Sequence, residues 1–408
     1  MGGKATLILV LGYSAIILII GLNMNSISTT AVDNSAGYYE NSLAKEIARS
    51  GVNFAASNLS RSSSWDPSSS PYSFNGIDNL VISVKDSADI KIVTSTGTHQ
   101  GKSKTIEVKI AMASFSQYAY FSDVEGDIWW TGADSVWGPF HTNDKIQVKD
   151  HPYFAGPTTS HGGTMKYYTN KATDAPTIVG TYSPGTTIEI PTDGITNLAA
   201  SASAGGCVLN GSEIYVEFKG DSIKFSTTKP KKYKTVLGSD LAPNGIIYAK
   251  NADIRIEGTV KGKWSIGSNK NVYIENDIVY SDVPDPMDKY DTSPDLLGII
   301  SQNNVLISDN LANKTNIDIH AAIYCEDGSF MAENYDTRAV GSSVNLIGGI
   351  TQAKRGAMGT FQVDRWTGKV KAISGFKEKN YKYDSRLLRK VPPYFPSTST
   401  FKILSWLE

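Results

Sequence analysis

Two groups of basic residues are interleaved with tyrosines, a pattern that suits the binding of anions. The groups are Lys229, Lys231, Lys232 and Lys234, with Tyr233, and Lys377, Lys379, Lys382, Arg386, Arg389 and Lys390, with Tyr381 and Tyr383. Lysine and arginine neutralise phosphates and give DNA affinity that is independent of sequence, while tyrosine rings stack on bases. The same charges also fit solubility, attraction to an acidic stretch of this chain, or contact with a fellow subunit.

A second candidate site is a loop rich in carboxylates, with Asp282, Asp285, Asp288 and Asp291 closely spaced. Calcium requires several oxygen ligands, and extracellular modules bind it weakly. The ordered Asp/Asn/Gly spacing of an EF-hand loop is missing. A Ca²⁺ site and a solvated acidic loop therefore both remain open, and we expect no other cofactor.

Catalysis has weaker support in the sequence. His141, His151 and His161 fall ten residues apart, a spacing that matches no metal site on one helix. Serine is too common for a nearby histidine and aspartate to indicate a hydrolase. We therefore expect no enzymatic activity. The alternative is an enzyme that acts on polysaccharides, which would require acids and bases clustered in one groove.

Composition indicates a large exported β protein. The 408 residues suffice for two or three domains, and charged residues are only 19% while turn-forming residues are abundant. The net charge of −1 is uneven: residues 281–336 carry 11 acids and 2 bases, whereas 351–402 carry 12 bases and 3 acids. Cys207 and Cys325 either form one disulfide in an oxidising compartment or are two small buried side chains.

These residues must be positioned by a chain that begins with an apolar helix. Residues 5–22 contain no charge, and 18 residues at 1.5 Å each nearly cross a bilayer core. From Tyr39 to Leu59 the apolar residues then recur at helical spacing. One long helix is predicted over 1–59, embedded in lipid first and packed on a domain later. A cleavable signal peptide is the alternative, with Ala31 or Ala36 at the cut.

The following segments show alternation typical of strands. A serine-rich link at 60–73 ends the helix, since Pro67 and Pro71 cannot continue it. Strands are predicted at 79–85, 89–94 and 104–112, where apolar and polar residues alternate as in a half-buried antiparallel sheet. Residues 60–114 are therefore predicted to form a small sheet that packs on the helix.

Residues 115–350 carry a weak repeat. Gly138, Gly245 and Gly298 each begin a segment with apolar residues, a later asparagine and a short alternating strand. The positions taken as equivalent, separated by 21 to 32 residues, are Ile247, Val279, Ile300, Ile323 and Ile350. Short strands with such steps favour a β-solenoid over a β-sandwich. An insertion is predicted at 151–244, with a helix near 195–204, and a hairpin and basic tail at 351–408.

The N-terminal pattern resembles type IV pilin-like proteins, specifically minor pilins of the PilX type. The resemblance implies cleavage after Gly2 or Gly3 by a prepilin peptidase and retention of the helix as anchor and filament core. Family members usually carry glutamate at the fifth mature position. Counted from Lys4, that position is Ile8, which implies a tip or initiating subunit, or an anchored protein outside any filament.

The body is similar to envelope proteins of the DUF4900 type and to competence-associated pilin-like proteins that carry a β-solenoid. The similarity lies in the segment Gly-Pro-Phe-His-Thr-Asn at 138–143, Tyr-Asp-Ser-Arg-Leu at 383–387, Pro-Pro-Tyr-Phe-Pro at 392–396 and the terminal Trp-Leu-Glu. It implies partnership with other pilin subunits and a pilus assembly platform, an inner-membrane anchor, and a periplasmic or extracellular body, at a pilus tip or the cell surface. Adhesion, filament assembly and capture of DNA or surface glycans are the implied roles.

Overall fold

The computed structural model describes residues 2–61, 65–67, 72–74, 78–87 and 90–408. Strands make up 43% of the chain, and one long α-helix occupies its N-terminal end. The prediction of a mainly β protein with one long N-terminal helix is therefore confirmed. The serine-rich link predicted at 60–73 lies in part outside the described residues.

The chain divides into two compact units. The first, Met1–Met112 with Ser399–Glu408, is called here the helix unit, and the second, Ala113–Thr398, the ladder unit. The structure differs here from the predicted tail at 351–408, because its last ten residues belong with the N-terminal unit. Strands and helices are numbered below in chain order.

Helix α1, Gly2–Arg61, opens the helix unit. All side chains over 3–36 are exposed, including the charge-free stretch 5–22. Among the described residues, α1 is the one helix with the length and composition of a membrane span or a signal sequence. An uncovered apolar surface of this length is unfavourable in water, so it requires another medium or partner.

The second part of α1 packs on a sheet. Ala44, Ala48, Val52, Ala55 and Leu59 are buried at helical spacing and form one stripe. The sheet consists of β1 Tyr72–Phe74, β2 Asp78–Ser87, β3 Ile90–His99, β4 Lys102–Ser114 and β29 Ser397–Leu407. Strands β1 to β4 pair antiparallel in sequence order, and β29 lies beside β4. The three predicted strands fall in β2, β3 and β4, except for Asp89, which lies outside the described residues.

Two glycines permit the close approach of helix and sheet. A Cβ at Gly97 would lie 2.3 Å from the Ala44 carbonyl oxygen, and one at Gly51 would lie 2.2 Å from Ser95 Oγ. Such distances are too short for real carbon atoms. The small residues therefore set how near the stripe of α1 lies to β3.

The ladder unit is built on parallel strand pairs that span most of its length. In spatial order the first ladder comprises β14 Cys207–Asn210, β18 Ile246–Lys250, β20 Lys263–Ser268, β22 Leu296–Ser301, β24 Ile317–Cys325, β26 Gly341–Lys354, β5 Tyr120–Val124, β7 Phe140–Thr142, β10 Thr158–Ser160 and β13 Tyr182–Pro184. Isoleucines stack along it: Ile247, Ile266, Ile299, Ile323 and Ile350 are successive partners. Each is fully or almost fully buried, so neighbouring strands share one apolar core.

A second parallel ladder runs beside the first. It comprises β15 Ile214–Gly220, β19 Ile254–Val260, β21 Val272–Tyr280, then β24 and β26, β28 Val370–Tyr383, β6 Asp134–Trp137, β9 Tyr153–Phe154 and β12 Thr177–Ile178. Shorter parallel pairs join β21, β23 Val305–Ile307 and β25 Phe330–Ala332, and join β8 Gln147–Val148 to β11 Lys166–Tyr167.

The remaining elements are excursions from these ladders. They are the antiparallel strands β16 Ser222–Ser226, β17 Lys234–Leu237 and β27 Gly359–Val363, and the helices α2 Lys171–Asp174, α3 Gly194–Ser203 and α4 Gly238–Leu241. Helix α3 occupies the place where a helix is predicted. Strand β27 pairs with β28 as the predicted hairpin.

The order of strands in space differs from their order in the chain. Strand β5, the first in this unit, pairs with β26, near the end of the chain. Residues 140–184 extend the ladders on one side of β5, and residues 207–354 extend them on the other. The chain thus enters and leaves the unit side by side, and Thr398 Oγ1 donates to the Ala113 carbonyl at 2.8 Å.

Several predicted boundaries differ from this arrangement. Strands β9, β10, β12 and β13 lie inside the predicted insertion 151–244, yet they continue the ladders. Of the positions taken as equivalent, Ile247, Ile323 and Ile350 occupy the same register position along the first ladder. Ile300 is one residue out of that register, and Val279 lies on the second ladder. A one-residue slip reverses the face of a strand, and spacing alone does not fix it.

Candidate functional site

A cleft in the ladder unit combines aromatic and charged side chains, and we call it the aromatic cleft. Its volume is about 760 Å³, within the usual range of small-ligand pockets. One wall comes from 127–133, which connect β5 to β6, and another from the β27–β28 hairpin. Its lining includes Trp129, Trp130, Arg355, Phe361, Lys371, Lys377, Glu378 and Lys379.

A buried ion pair forms part of the cleft floor. Arg355 Nη1 donates to Glu125 Oε2 at 2.7 Å, and the guanidinium carbon lies 3.8 Å from the centroid of the Trp130 ring. Glu125 also accepts hydrogen bonds from Tyr120 Oη at 2.9 Å and Trp130 Nε1 at 3.0 Å. The two charged side chains are only 5% and 0% exposed. Buried charges are tolerated only when paired and hydrogen-bonded, so this network holds the floor in one arrangement.

A second ion pair lies on β28 and β6. Lys379 Nζ is 2.7 Å from a carboxylate oxygen of Asp134, whose side chain is fully buried. The two residues are register partners, which explains their contact. Asp134 also accepts from the backbone N–H of Thr131 at 2.8 Å. Lys379, predicted to bind anions, is therefore already neutralised within the fold.

Aromatic rings form the rim of the cleft. The half-buried Trp129 ring meets Tyr168 edge-on, with centroids 5.0 Å apart, and Tyr168 lies 6.3 Å from Phe361 on the hairpin. Lys166 Nζ lies 5.1 Å from the Trp129 centroid. These contacts orient Trp129 while part of its surface stays in solvent.

The turn of the β27–β28 hairpin contains an exposed tryptophan. Asp364 Oδ1 accepts hydrogen bonds from the backbone N–H groups of Trp366 at 3.0 Å and Thr367 at 2.7 Å, which orders the turn. Gly368 has a φ of +70° and permits the reversal. The Trp366 side chain is nevertheless 92% exposed.

The other basic residues predicted in the C-terminal group are partly exposed and partly buried. Lys377 lines the aromatic cleft and is exposed, and Lys382 is exposed on β28. Arg386 is fully buried: its Nη2 donates to Asp384 at 2.6 Å and its Nη1 to the Ser293 carbonyl at 2.9 Å. It serves the interior of the protein, not its surface.

The acidic loop contacts this basic segment. Lys390 Nζ lies 3.4 Å from the carbonyl oxygens of Asp291 and Ser293, and the Arg389 guanidinium lies 5.0 Å from the Tyr290 ring. Backbone hydrogen bonds from Ser293 and Asp285, with smaller contributions from Arg386 and Lys390, lower the pKa of Asp291. Contact with the chain's own acidic loop thus explains the presence of some of these basic residues.

The carboxylates proposed for calcium mainly cap their own loop. Asp285, Asp288 and Asp291 each accept a hydrogen bond from the backbone N–H two residues later, at 2.8 to 2.9 Å, and the backbone N–H of Asp282 donates to Asp295. Over the described part of the chain, no three His, Cys, Asp or Glu side chains are grouped closely enough to hold a metal ion. His141, His151 and His161 belong to no such group, and His141 bonds to Thr159 and Asn143.

The basic group of the middle region borders a second cavity, of about 320 Å³, which we call the carboxylate pocket. Lys231 lies 3.5 Å from the Tyr215 ring centroid, and Lys229 pairs with Glu213 at 2.9 Å. Lys232 donates through its backbone N–H to Ser226, and Lys234 is exposed on β17. Only part of this group is free to bind an anion.

Three glutamates line the carboxylate pocket, and two of them lie in unlike environments. Glu217 and Glu257 are register partners on β15 and β19. Partial burial, and then the charges of Glu217 and Glu275, raise the pKa of Glu257. Partial burial would raise the pKa of Glu217 too, but hydrogen bonds from Lys224 and Lys219 lower it. Such divergence is one property of acid and base pairs.

Arg255 also lines this pocket and joins its third glutamate, Glu275, to Glu213 outside the lining. It donates to Glu213 and to Glu275, each at 2.5 Å. Partial burial would raise the pKa of Glu213, but hydrogen bonds from Lys229 and Arg255 lower it to about 2. The side chains of Arg255, Glu213 and Glu275 are 24%, 15% and 24% exposed.

The two cysteines do not pair, which corrects the proposed disulfide. Both are free thiols. Cys207 has the same register position as Ile323, which lies four strands away along the first ladder. Cys325 is two residues beyond Ile323 on the same strand. Four steps of about 4.8 Å separate the strands by about 19 Å, far more than a disulfide spans. Burial raises the pKa of Cys325 to about 12.

No sequence pattern marks Glu125 and Arg355, the charged centre of the aromatic cleft. They are 230 residues apart, and their contact depends on the pairing of β5 with β26. The only local signal was the concentration of aromatic residues near Trp129 and Trp130. Gly2 and Gly3, predicted for processing, lie at the start of α1.

Residues 81–163 match a family described as a domain of unknown function, DUF4900. The matched segment runs from β2 to just beyond β10 and so includes the 127–133 wall of the cleft. No curated protein matches the chain. Among solved structures, the chain is similar to the competence-associated pilin ComZ from Thermus thermophilus, with 9% sequence identity, coverage of 82% of this chain and 84% of that one, and a TM-score of 0.35.

Proposed function

We propose that this chain is a non-enzymatic, pilin-like envelope protein that displays a β-solenoid. The first part of α1 lies in the inner membrane or a filament core, and the ladder unit lies in the periplasm or outside the cell. The observation that carries the proposal is α1 itself. One part of the helix is apolar and uncovered, while the other part carries a stripe of buried residues packed on an antiparallel sheet.

The solenoid description draws its support from strand pairing. Strands β18, β20, β22 and β24 pair in parallel one after another and bury isoleucines on their neighbours. In a solenoid each turn buries its inward side chains on the adjacent turns in the same way. Such a body offers a long surface for adhesion, filament assembly or DNA capture.

The finer role proposed is a minor pilin of the PilX type, at the tip or at initiation of a filament. Cleavage would follow Gly2 or Gly3. With Ile8 in place of the usual glutamate, the apolar segment has no charge to pair with the amino terminus of a neighbour. Other pilin subunits and the assembly platform are the expected partners.

The mass of the mature protein from its native cells tests the anchor. We expect a chain that begins at Gly3 or Lys4 and stays in the membrane fraction. Ile17→Arg adds a charge in the apolar segment at a cost of about 2.5–3.5 kcal/mol and should reduce retention. Tyr38→Arg, on the exposed helix beyond that segment, is the control. A soluble mature chain that begins at Val32 or later would refute the proposal.

A second candidate is an enzyme that acts on polysaccharides, and the divergent pair Glu217 and Glu257 favours it. Glycoside hydrolysis uses one carboxylic acid with a raised pKa and one ionised carboxylate. If the carboxylate pocket works this way, purified full-length protein releases fragments from envelope polysaccharides. Glu257→Gln should abolish release, whereas Glu189→Gln, on an exposed residue outside both cavities, should retain it. Intact polysaccharides after incubation with the wild-type protein would exclude this candidate.

A further inference from the structure

The charges around the aromatic cleft are balanced. Its five cations are Arg355, Lys371, Lys377 and Lys379 in the lining and Lys166 on the rim. They face five carboxylates, namely Asp127, Asp150 and Glu378 in the lining and the ion-pair partners Glu125 and Asp134. A polyanion binds through cations that have no counter-charge in the protein. The cleft offers no such excess of positive charge, so a nucleic acid or an acidic polymer is a poor match.

The rim provides a flat apolar surface next to polar groups. Trp129 is held by Tyr168 and Lys166, and Phe361 extends the aromatic rim onto the hairpin. Aromatic rings of this kind pack against other flat apolar surfaces. The C–H face of a sugar ring is such a surface, and its hydroxyls project from the ring edge.

Hydrogen-bonding groups of both kinds surround that surface. Lys371 and Lys377 are exposed donors, while Asp127 and Glu378 are exposed acceptors. A hydroxyl both donates and accepts, so a ligand with many hydroxyls can use donors and acceptors together. The buried pairs below keep the floor rigid, which lowers the entropy cost of binding.

We propose that the aromatic cleft binds a segment of an uncharged polysaccharide, with Trp129 as the surface on which a sugar ring packs. The proposal adds a ligand class to the proposed display of the ladder unit. Its test measures binding directly, so it can fail or succeed whether or not the chain proves to be anchored as proposed.

The test uses the full chain in phosphatidylcholine nanodiscs and titration calorimetry with cellohexaose, maltohexaose and chitohexaose. We expect saturable binding of at least one of them, with an affinity that is the same at low and high salt. Trp129→Ala should weaken that binding at least tenfold. Trp366→Ala, which removes the exposed tryptophan outside the cleft lining, should change it less than twofold.

Three outcomes overturn the proposal. One is the absence of binding by all three hexasaccharides. Another is an equal loss in Trp129→Ala and Trp366→Ala, which would place the contact elsewhere. The third is salt-dependent binding of polygalacturonate or single-stranded DNA that Trp129→Ala weakens, because the cleft would then recognise a polyanion. Trp129→Phe keeps an aromatic surface and should retain most of the affinity if the ring acts by packing.

Discussion

Two networks in the ladder unit are built from the same residue types but differ in exposure. Arg355 and Glu125 are 5% and 0% exposed, and aromatic rings surround them. Arg255 bridges Glu213 and Glu275, all of them between 15% and 24% exposed. Water screens the second network and not the first, so removal of one partner has unequal consequences. The first network stabilises the floor of the aromatic cleft, while the second shifts the pKa values of partly exposed glutamates.

The largest effect is expected from Glu125→Gln. It leaves the charge of Arg355 buried without a counter-charge, which costs about 3–5 kcal/mol of unfolding free energy. Urea unfolding of the full chain in nanodiscs, followed by tryptophan fluorescence, measures the loss, since Trp130 lies against Arg355. Glu213→Gln is the matched control and should cost about 1 kcal/mol or less because its network is partly solvated. Equal losses would contradict the comparison.

A double replacement sharpens the same point. Glu125→Leu combined with Arg355→Met removes both charges, so neither is left unpaired. We expect it to regain at least half of the stability that Glu125→Gln loses. The remaining loss comes from Tyr120 and Trp130, whose hydrogen bonds to Glu125 disappear. A double variant less stable than Glu125→Gln would show that the pair itself provides net stability.

The difference between the networks also marks the limit of the sequence analysis. Local patterns predicted α1 from helical spacing, β2 to β4 from alternation, and a hairpin within residues 351–408, where β27 and β28 lie. Each of these depends on residues that are near in sequence. The pairing of β5 with β26 joins residues more than 200 positions apart and leaves no local pattern. Glu125 and Arg355 could therefore not be predicted as partners.

The sequence also does not show which charged side chains are buried. Arg386 was predicted to belong to a basic surface. In the structure it is buried with Asp384 inside the ladder unit. The Tyr-Asp-x-Arg spacing places the two side chains close together, yet it does not say whether they face water. Only the tertiary contact with the Ser293 carbonyl decides that.

A pH series tests the second network and gives effects of opposite sign. Glu213 has a folded pKa of about 2, below its usual 4.5, so its stabilising contribution is full above pH 4.5 and is lost as the pH falls toward 2. Glu257 has a raised pKa, so its charge destabilises the fold at neutral pH and that penalty disappears in acid. At pH 7 we expect Glu213→Gln to melt below the wild type and Glu257→Gln to melt above it, by about 2–4 °C each.

Circular dichroism melts from pH 7 to pH 2 provide the measurement. The Glu257→Gln difference should vanish below about pH 4.5, where both side chains are neutral, and the Glu213→Gln difference should persist nearly to pH 2. Glu189→Gln, on a residue outside both networks, is the control. A higher melting temperature in both variants would mean that burial, not the neighbouring charges, governs the pKa values of these glutamates.

The smallest effect is expected at the cysteines, where burial and exposure can be compared for one residue type. Cys207 is partly exposed and Cys325 is fully buried, and both are free. Cys207→Ser should change the unfolding free energy by less than about 0.5 kcal/mol, because no disulfide is lost. Loss of a native disulfide would instead cost about 2–5 kcal/mol.

Thiol titration separates the two cases further. In the folded protein only Cys207 should react with a thiol reagent, because burial raises the pKa of Cys325 and removes it from solvent. In urea both should react. No reactive thiol in unfolded, unreduced protein would show that the cysteines are joined, and because about 19 Å of stacked strands lies between them, such a result would require a different order of strands in the ladders.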